Sequence, residues 1–242
     1  MNEIDLINNF ALRCFRDTAD KDYIHARMAY RGTLLPQFLW SSLHCLEKYS
    51  KCILLLARID GHGIKHEINS AIEKINTSFN VEFTDQTYQF FTHLEQVARF
   101  RYLEVSWNSI GNELSLLDRA VWELRRYCRV SLYNYEQIPN VSINQDLFNT
   151  IKEIDLPTNE NTIVPGGWLE SIVEGEKSET RNALIWKNLF YSKSKRKQVL
   201  MAAYLRAENS PLSLNPEMLD EVIKYVFLPK EIIKAYRTLK NG

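Results

Sequence analysis

The chain has 242 residues, 45% of them hydrophobic and 25% charged, with 30 basic and 30 acidic side chains and a formal net charge of zero. This is the composition of an ordinary globular protein, long enough for one large domain or two modest ones. Neutrality excludes a chain that coats nucleic acid over its whole surface, although a neutral total can hide a local basic patch.

Cys14, Cys45, Cys52 and Cys128 form no CxxC pair and sit in apolar helical patterns, where a thiol behaves as a small hydrophobe. A reducing, cytoplasmic setting is expected. The opening MNEIDLINNF has acids where an export signal has basic residues, so no export signal is expected. The longest apolar run, CILLLA at residues 52–57, falls far short of the roughly 20 residues of a membrane span, and no membrane partner is expected.

In chain order, residues 4–16 and 22–30 read as two helices divided by a polar DTADKD turn. Pro36 is the sole proline before Pro139, so long helices follow naturally. The clearest spans residues 33–59. Pro36 falls in its first turn, and Leu35, Leu39, Ser42, Leu46, Tyr49, Ile53 and Leu56 recur at steps of four and three. Phe38, Leu43 and Cys45 widen that stripe to the face a central bundle helix needs.

Ile68, Ala71, Ile72 and Ile75 mark a shorter helix. A longer one follows Thr84 and Asp85, carrying Tyr88, Phe91, Leu94, Ala98 and Tyr102. Residues 110–128 repeat the four-three pattern through Ile110, Leu114, Leu117, Val121, Leu124 and Cys128. Five or six antiparallel helices result.

From 131 to 167 prolines and asparagines interrupt any period, predicting an irregular connection with one short helix near 145–154. Helical texture returns over 168–174, 180–191, 195–206, 215–225 and 229–240. The expected organisation is all-α: a bundle over 1–130, the connection over 131–167, and a helical C-terminal region over 168–242 packed on the bundle.

The stretch AYRGTLLPQFLWSSLHCLEKYSKCILLLARIDGHGIKHEINSAIEKI, residues 29–75, resembles the core of a HEPN domain. The parts that carry the resemblance are the FLW, the LEKYSK within a long apolar helix, and the Lys-His pair opening the next helix. ARFRYLEVSW, residues 98–107, is similar to the Arg-Tyr segment near that family's final helices. The resemblance covers about the first 130 residues. It implies an antiparallel HEPN-like helical bundle that pairs into a homodimer, with a cleft that binds or cleaves RNA at the seam.

Catalytic members carry an Arg, then a polar residue, with about four to six residues between the Arg and a following His. Here none of His25, His44, His62, His66 and His93 has an Arg at that distance. Arg58 and His62 come nearest, with three residues between them, and no His follows Arg99 and Arg101. Metal-independent RNA cleavage needs a group titrating near neutrality, which histidine supplies. Its absence there predicts a protein that binds RNA or a nucleotide without the usual RNase centre. Two alternatives stand beside this: a toxin-like ribonuclease with a centre drawn from His44, His62, His66 or the Arg99/Arg101 pair, and a protein-interaction scaffold.

Four constellations are candidates for binding. On the long helix Gln37, Ser41, His44, Lys48 and Lys51 form a polar stripe able to line a phosphate cleft, or simply a solvated face. Arg99 and Arg101, with Arg119, Arg125, Arg126 and Arg129, supply guanidinium groups for phosphate, matched by enough acids for a salt-bridged surface.

Residues 186–206 hold Lys187, Lys193, Lys195, Arg196, Lys197 and Arg206, no acid, and Trp186, Phe190, Tyr191 and Tyr204 between them. Cations with aromatic platforms suit single-stranded nucleic acid, whereas aromatics at helical spacing also suit a core. His62 and His66, four apart beside Glu67, have no third ligand, and no metal or cofactor is expected. The sequence has no P-loop, GxGxxG or GxSxG motif.

Overall fold

A computed structural model describes residues 2–64, 67–98, 103–109, 111–136, 140–153, 164–191 and 206–240. The described residues are all-α: 66% helix and 4% strand. It opens on α1 (Glu3–Phe10), a π-helical stretch (Ala11–Arg16) and α2 (Asp17–Arg31), which run on without a break. The polar DTADKD segment is therefore helical rather than a turn. Asp20 within it is fully buried, paired with Arg125, which lies 105 residues away.

A tight connection through Thr33, held in the left-handed region at φ 60°, reverses the chain into α3 (Leu35–Leu56). Its ends are tied by Thr33 N–H to the Tyr30 carbonyl and Leu34 N–H to the Ala29 carbonyl. The α2 and α3 pair makes the most extensive helix contact in the molecule. The wide stripe of α3 explains why: Leu35, Phe38, Leu39, Leu43, Leu46, Tyr49, Ile53 and Leu56 are all buried.

Around α3 stand α4 (Ile68–Ser78), α5 (Asp85–Val97) and α6 (Glu113–Arg125). Two of these helices begin without a side-chain cap of their own and receive one from a neighbouring helix. Glu95 accepts the Asn69 backbone and side-chain N–H groups, both at 2.8 Å, at the start of α4. Glu123 accepts the Thr84 N–H at 3.0 Å and hydroxyl at 3.1 Å, at the start of α5. Each carboxylate satisfies orphan donors and meets the positive helix end.

The connection at 131–153 contains a small antiparallel pair, β2 (Tyr133–Asn134) with β3 (Ser142–Ile143), followed by α7 (Gln145–Glu153). Beyond it, α8 (Trp168–Glu174) matches its expected bounds. By contrast, α9 (Glu179–Ile185) ends six residues before the expected 191. The cause is tertiary: Trp186 turns extended and its carbonyl accepts from buried Arg27, and Lys187 takes φ 48°. Asn188 then collects the Phe190 and Tyr191 N–H groups at 2.9 and 3.1 Å.

Phe190 and Tyr191 are consequently core residues, packed against Trp122 at centroid distances of 5.3 and 5.9 Å. They do not form an exposed platform for bases.

Two buried arginines join the C-terminal helices to the bundle. Arg125 of α6 pairs with Asp20 of α2 (Nε to Oδ1 2.7 Å, Nη2 to Oδ2 2.9 Å) and with Glu170 of α8 (2.6 and 2.8 Å). Tyr49 donates to the same Asp20 at 2.5 Å. Arg27 pairs with Asp118 and donates to the Ala183 and Trp186 carbonyls of α9 and its exit. Tyr23 donates to Asp118 at 2.7 Å and accepts from Asn188 at 2.8 Å. Burial pushes the Asp118 carboxyl up while Arg27 opposes that shift.

Residues 206–240 form a second, smaller core of Leu212, Leu219, Leu228, Ile232 and Tyr236, with Val105 packed on it. They comprise β4 (Arg206–Glu208), α10 (Pro211–Leu214), a 3-10 turn (Pro216–Met218), α11 (Leu219–Val222) and α12 (Lys230–Lys240). The helix expected over 215–225 is a 3-10 turn that runs directly into the single α-helical turn of α11 and ends at Val222. The unit is hooked to the 103–109 segment by β4 pairing antiparallel with β1 (Trp107–Ser109) and by the Tyr236 hydroxyl on the Glu104 carbonyl at 2.6 Å. Of the helix expected over 195–206, residues 195–205 lie outside the described residues, and Arg206 opens strand β4 rather than closing a helix.

Removing one member of a buried charge cluster strands the others, at about 3–5 kcal/mol. Arg125→Met should therefore lower unfolding free energy by about that much in urea titration. Gly167→Ala should cost ~1–3 kcal/mol, since a Cβ there would lie 2.6 Å from Arg125 Nη2 and still closer to Glu170 Oε2. Lys48→Ala, removing a surface pair, should change stability by less than about 1 kcal/mol.

Candidate functional site

The polar stripe of α3 is an ion-paired face. Lys48 Nζ lies 2.6 Å from Asp22 Oδ2, Lys51 Nζ lies 2.5 Å from Glu47 Oε1, and Ser41 Oγ is 2.7 Å from His25 Nδ1. His44 packs its ring 4.1 Å from that of Trp40. Both lysines already face carboxylates on α2 or on their own helix, which weakens their field toward a phosphate.

The arginines are also engaged. Arg125 is buried in its bridge, Arg126 donates to the Ile151 carbonyl at 3.3 Å, and Arg119 lies 5.9 Å over the Phe190 ring. Burial lowers the pKa of Arg129, with Glu170 opposing the shift. Arg58 and His62 point to separate tasks. Arg58 donates to Asn8 at 2.9 Å and sits 4.8 Å over Tyr135, while exposed His62 contacts Asp60 at 2.6 Å. Arg99, Arg101, Lys193, Lys195, Arg196, Lys197 and His66 lie outside the described residues. Among the described residues no group of three or more His, Cys, Asp and Glu is placed to hold a metal. No described helix is long and apolar enough to cross a membrane.

What the fold does build is a cleft of about 350 Å³ between α5 and the start of α6. One wall is a stripe of α5: Gln86, Gln89, Phe90 and His93, at the three-and-four spacing of one helix face. The other wall is Asn108 of β1 with Asn112 and Glu113 at the beginning of α6. The Glu123 contact with Thr84 sets the separation of the two helices, and β1 is held in turn by β4.

The chemistry of this cleft is amide-rich and free of cations among its described lining. Four side-chain amides offer paired donors and acceptors. Asn112, at the N-cap position of α6, does not cap the helix, and its Oδ1 is buried with no partner. Buried Glu113 accepts the Gly111 N–H at 3.1 Å, which orders the loop entering α6. Phe90, a core residue only 1% exposed, lies beneath the cleft with the His93 ring stacked beside it, centroids 6.4 Å apart.

His93 is half-buried, and desolvation holds its pKa below the usual 6.5 despite the nearby Glu113 carboxylate. It is therefore a neutral imidazole at pH 7, offering one donor and one acceptor. Sequence reasoning named His93 only among the histidines and passed over the amides. The available signal was Gln86, Gln89 and His93 sharing one polar face.

Acid should expose this environment. As pH falls below about 6.5 the unfolded chain protonates at residue 93 before the folded one does, so folding stability drops. Urea midpoints compared between about pH 7 and 5.5 should fall more for the wild type than for His93→Asn. An NMR titration should place the His93 midpoint below 6.5. No family model, curated protein or solved structure matches this chain.

Proposed function

We propose that this is a HEPN-like protein that binds a nucleotide or a single-stranded RNA base, without the usual Arg/His RNase centre and without catalysis. The observation that carries the proposal is the cleft of Gln86, Gln89, Asn108 and Asn112 beside the half-buried His93 ring. Amide side chains pair bidentately with base edges, and an aromatic or imidazole surface complements a base face.

A volume of about 350 Å³ is at the small end of ligand pockets, which span roughly 300–1,000 Å³, and suits one base or nucleoside. A carboxylate and four neutral amides favour a neutral heterocycle, with any phosphate lying outside.

Binding of labelled oligonucleotides and of free nucleosides tests this. Gln89→Ala and Asn108→Ala should each weaken binding about 2- to 10-fold, the worth of one net hydrogen bond. The affinity should depend only weakly on salt, since no cationic side chain among the described lining releases counterions. Purified protein that binds neither a nucleoside nor single-stranded RNA, or binds RNA only through a steeply salt-dependent contact untouched by these variants, would refute the proposal.

A further inference from the structure

Nine large hydrophobic side chains are strongly exposed among the described residues, and five of them fall within 214–227: Leu214, Met218, Tyr225, Val226 and Phe227. Tyr225 and Phe227 are 78% and 88% exposed. Soluble monomers rarely present a contiguous apolar patch beyond a few hundred Å².

These residues run into a groove of about 530 Å³ whose walls include Leu103, Leu212, Met218, Val222 and Leu228, with Val226 and Phe227 themselves on its lining. The polar atoms that Ser210 and Asn215 bring to it are already used. Ser210 Oγ donates to the Glu104 carbonyl and accepts from Leu212 N–H, both at 3.2 Å, and Asn215 Nδ2 donates to the Pro211 carbonyl at 3.2 Å. Such a groove rewards an apolar occupant.

We infer that the occupant is a second copy of this chain, its Phe227 seated in the groove while the groove's own Phe227 enters the other copy. Protrusion and groove lie on one face, which is what a two-fold, self-complementary contact requires. The area is adequate. Aromatic side chains bury ~150–250 Å² each, so Tyr225 and Phe227 from both copies supply ~600–1,000 Å². Leu214, Met218 and Val226 from both copies carry the total toward the ~1,200–2,000 Å² of stable interfaces.

Charge permits the contact as well. Near the patch Glu217, Asp220 and Glu221 are followed by Lys224 and Lys230; Lys224 meets Glu221 at 2.5 Å and Asp220 lies 3.9 Å from Arg237, so both signs are present. A rim of one sign would repel its own copy. This contact uses residues 210–228, outside the first 130 residues, and is independent of both the HEPN-type bundle seam and the base-binding cleft.

Sedimentation velocity on the full chain over a concentration series provides the test. The wild type should dimerise, and Phe227→Asp should weaken association about 30-fold or more, the equivalent of the ~2 kcal/mol that marks an interface anchor. Because Phe227 is exposed, helicity by circular dichroism should not change. Met218→Glu, blocking the groove, should act alike. A wild type that stays monomeric, or a dimer indifferent to Phe227→Asp, would overturn the inference. A monomer that takes up the dye ANS, with uptake lost in Met218→Glu, would overturn it in favour of a small apolar ligand.

Discussion

Arg125 holds together parts of the chain that have little else in common. Its guanidinium reaches Asp20 on α2 and Glu170 on α8, while Tyr49 of α3 donates to the same Asp20. Four helices from three regions of sequence thereby meet at one desolvated point. Asp20 and Arg125 are almost wholly buried, and in a low-dielectric interior a charge is tolerable only with its partners in place. The bridge sets the registry of α8 on the bundle, and its crowding requires a residue without a Cβ at 167.

Arg27 performs a related task about two turns along the same helical faces, seven residues from Asp20 on α2, with its partner Asp118 seven residues from Arg125 on α6. By taking the carbonyls of Ala183 and Trp186 it ends α9 and turns Phe190 and Tyr191 into the core. The segment that reads as cations mixed with aromatic platforms is thus partly an anchor strap. The borrowed caps follow the same logic. Glu95 and Glu123 satisfy the starts of α4 and α5, so helix positions depend on carboxylates of neighbouring helices. The cleft inherits its width from the second of these contacts. Its far wall inherits a place from β1, whose β4 partner belongs to the smaller C-terminal core.

Much of the helical skeleton was legible from residue spacing. The stripe from Leu35 to Leu56 predicts α3 because period 3.6 with a wide apolar face has few alternative solutions. The stripe through Leu114, Leu117, Val121 and Leu124 did the same for α6. Failures came where polar residues are buried. DTADKD reads as a turn because Asp and Lys are ordinarily solvated, yet Asp20 faces Arg125 across 105 residues of sequence. The cleft was harder still. Gln86, Gln89, Asn108 and Asn112 are unremarkable singly, and only packing of α5 against the start of α6 assembles them.

By itself, then, the sequence determined that this chain is helical, where its longest helices run, and that no described helix is a membrane span, because periodicity and apolar length are local properties. Tertiary structure decided which charges are buried and paired, where α9 stops, which residues line the cleft, and that residues 206–240 have a core of their own. Each of those outcomes depends on partners distant in sequence. Desolvation and hydrogen-bond satisfaction are properties of an assembled environment, and no single window of residues contains them.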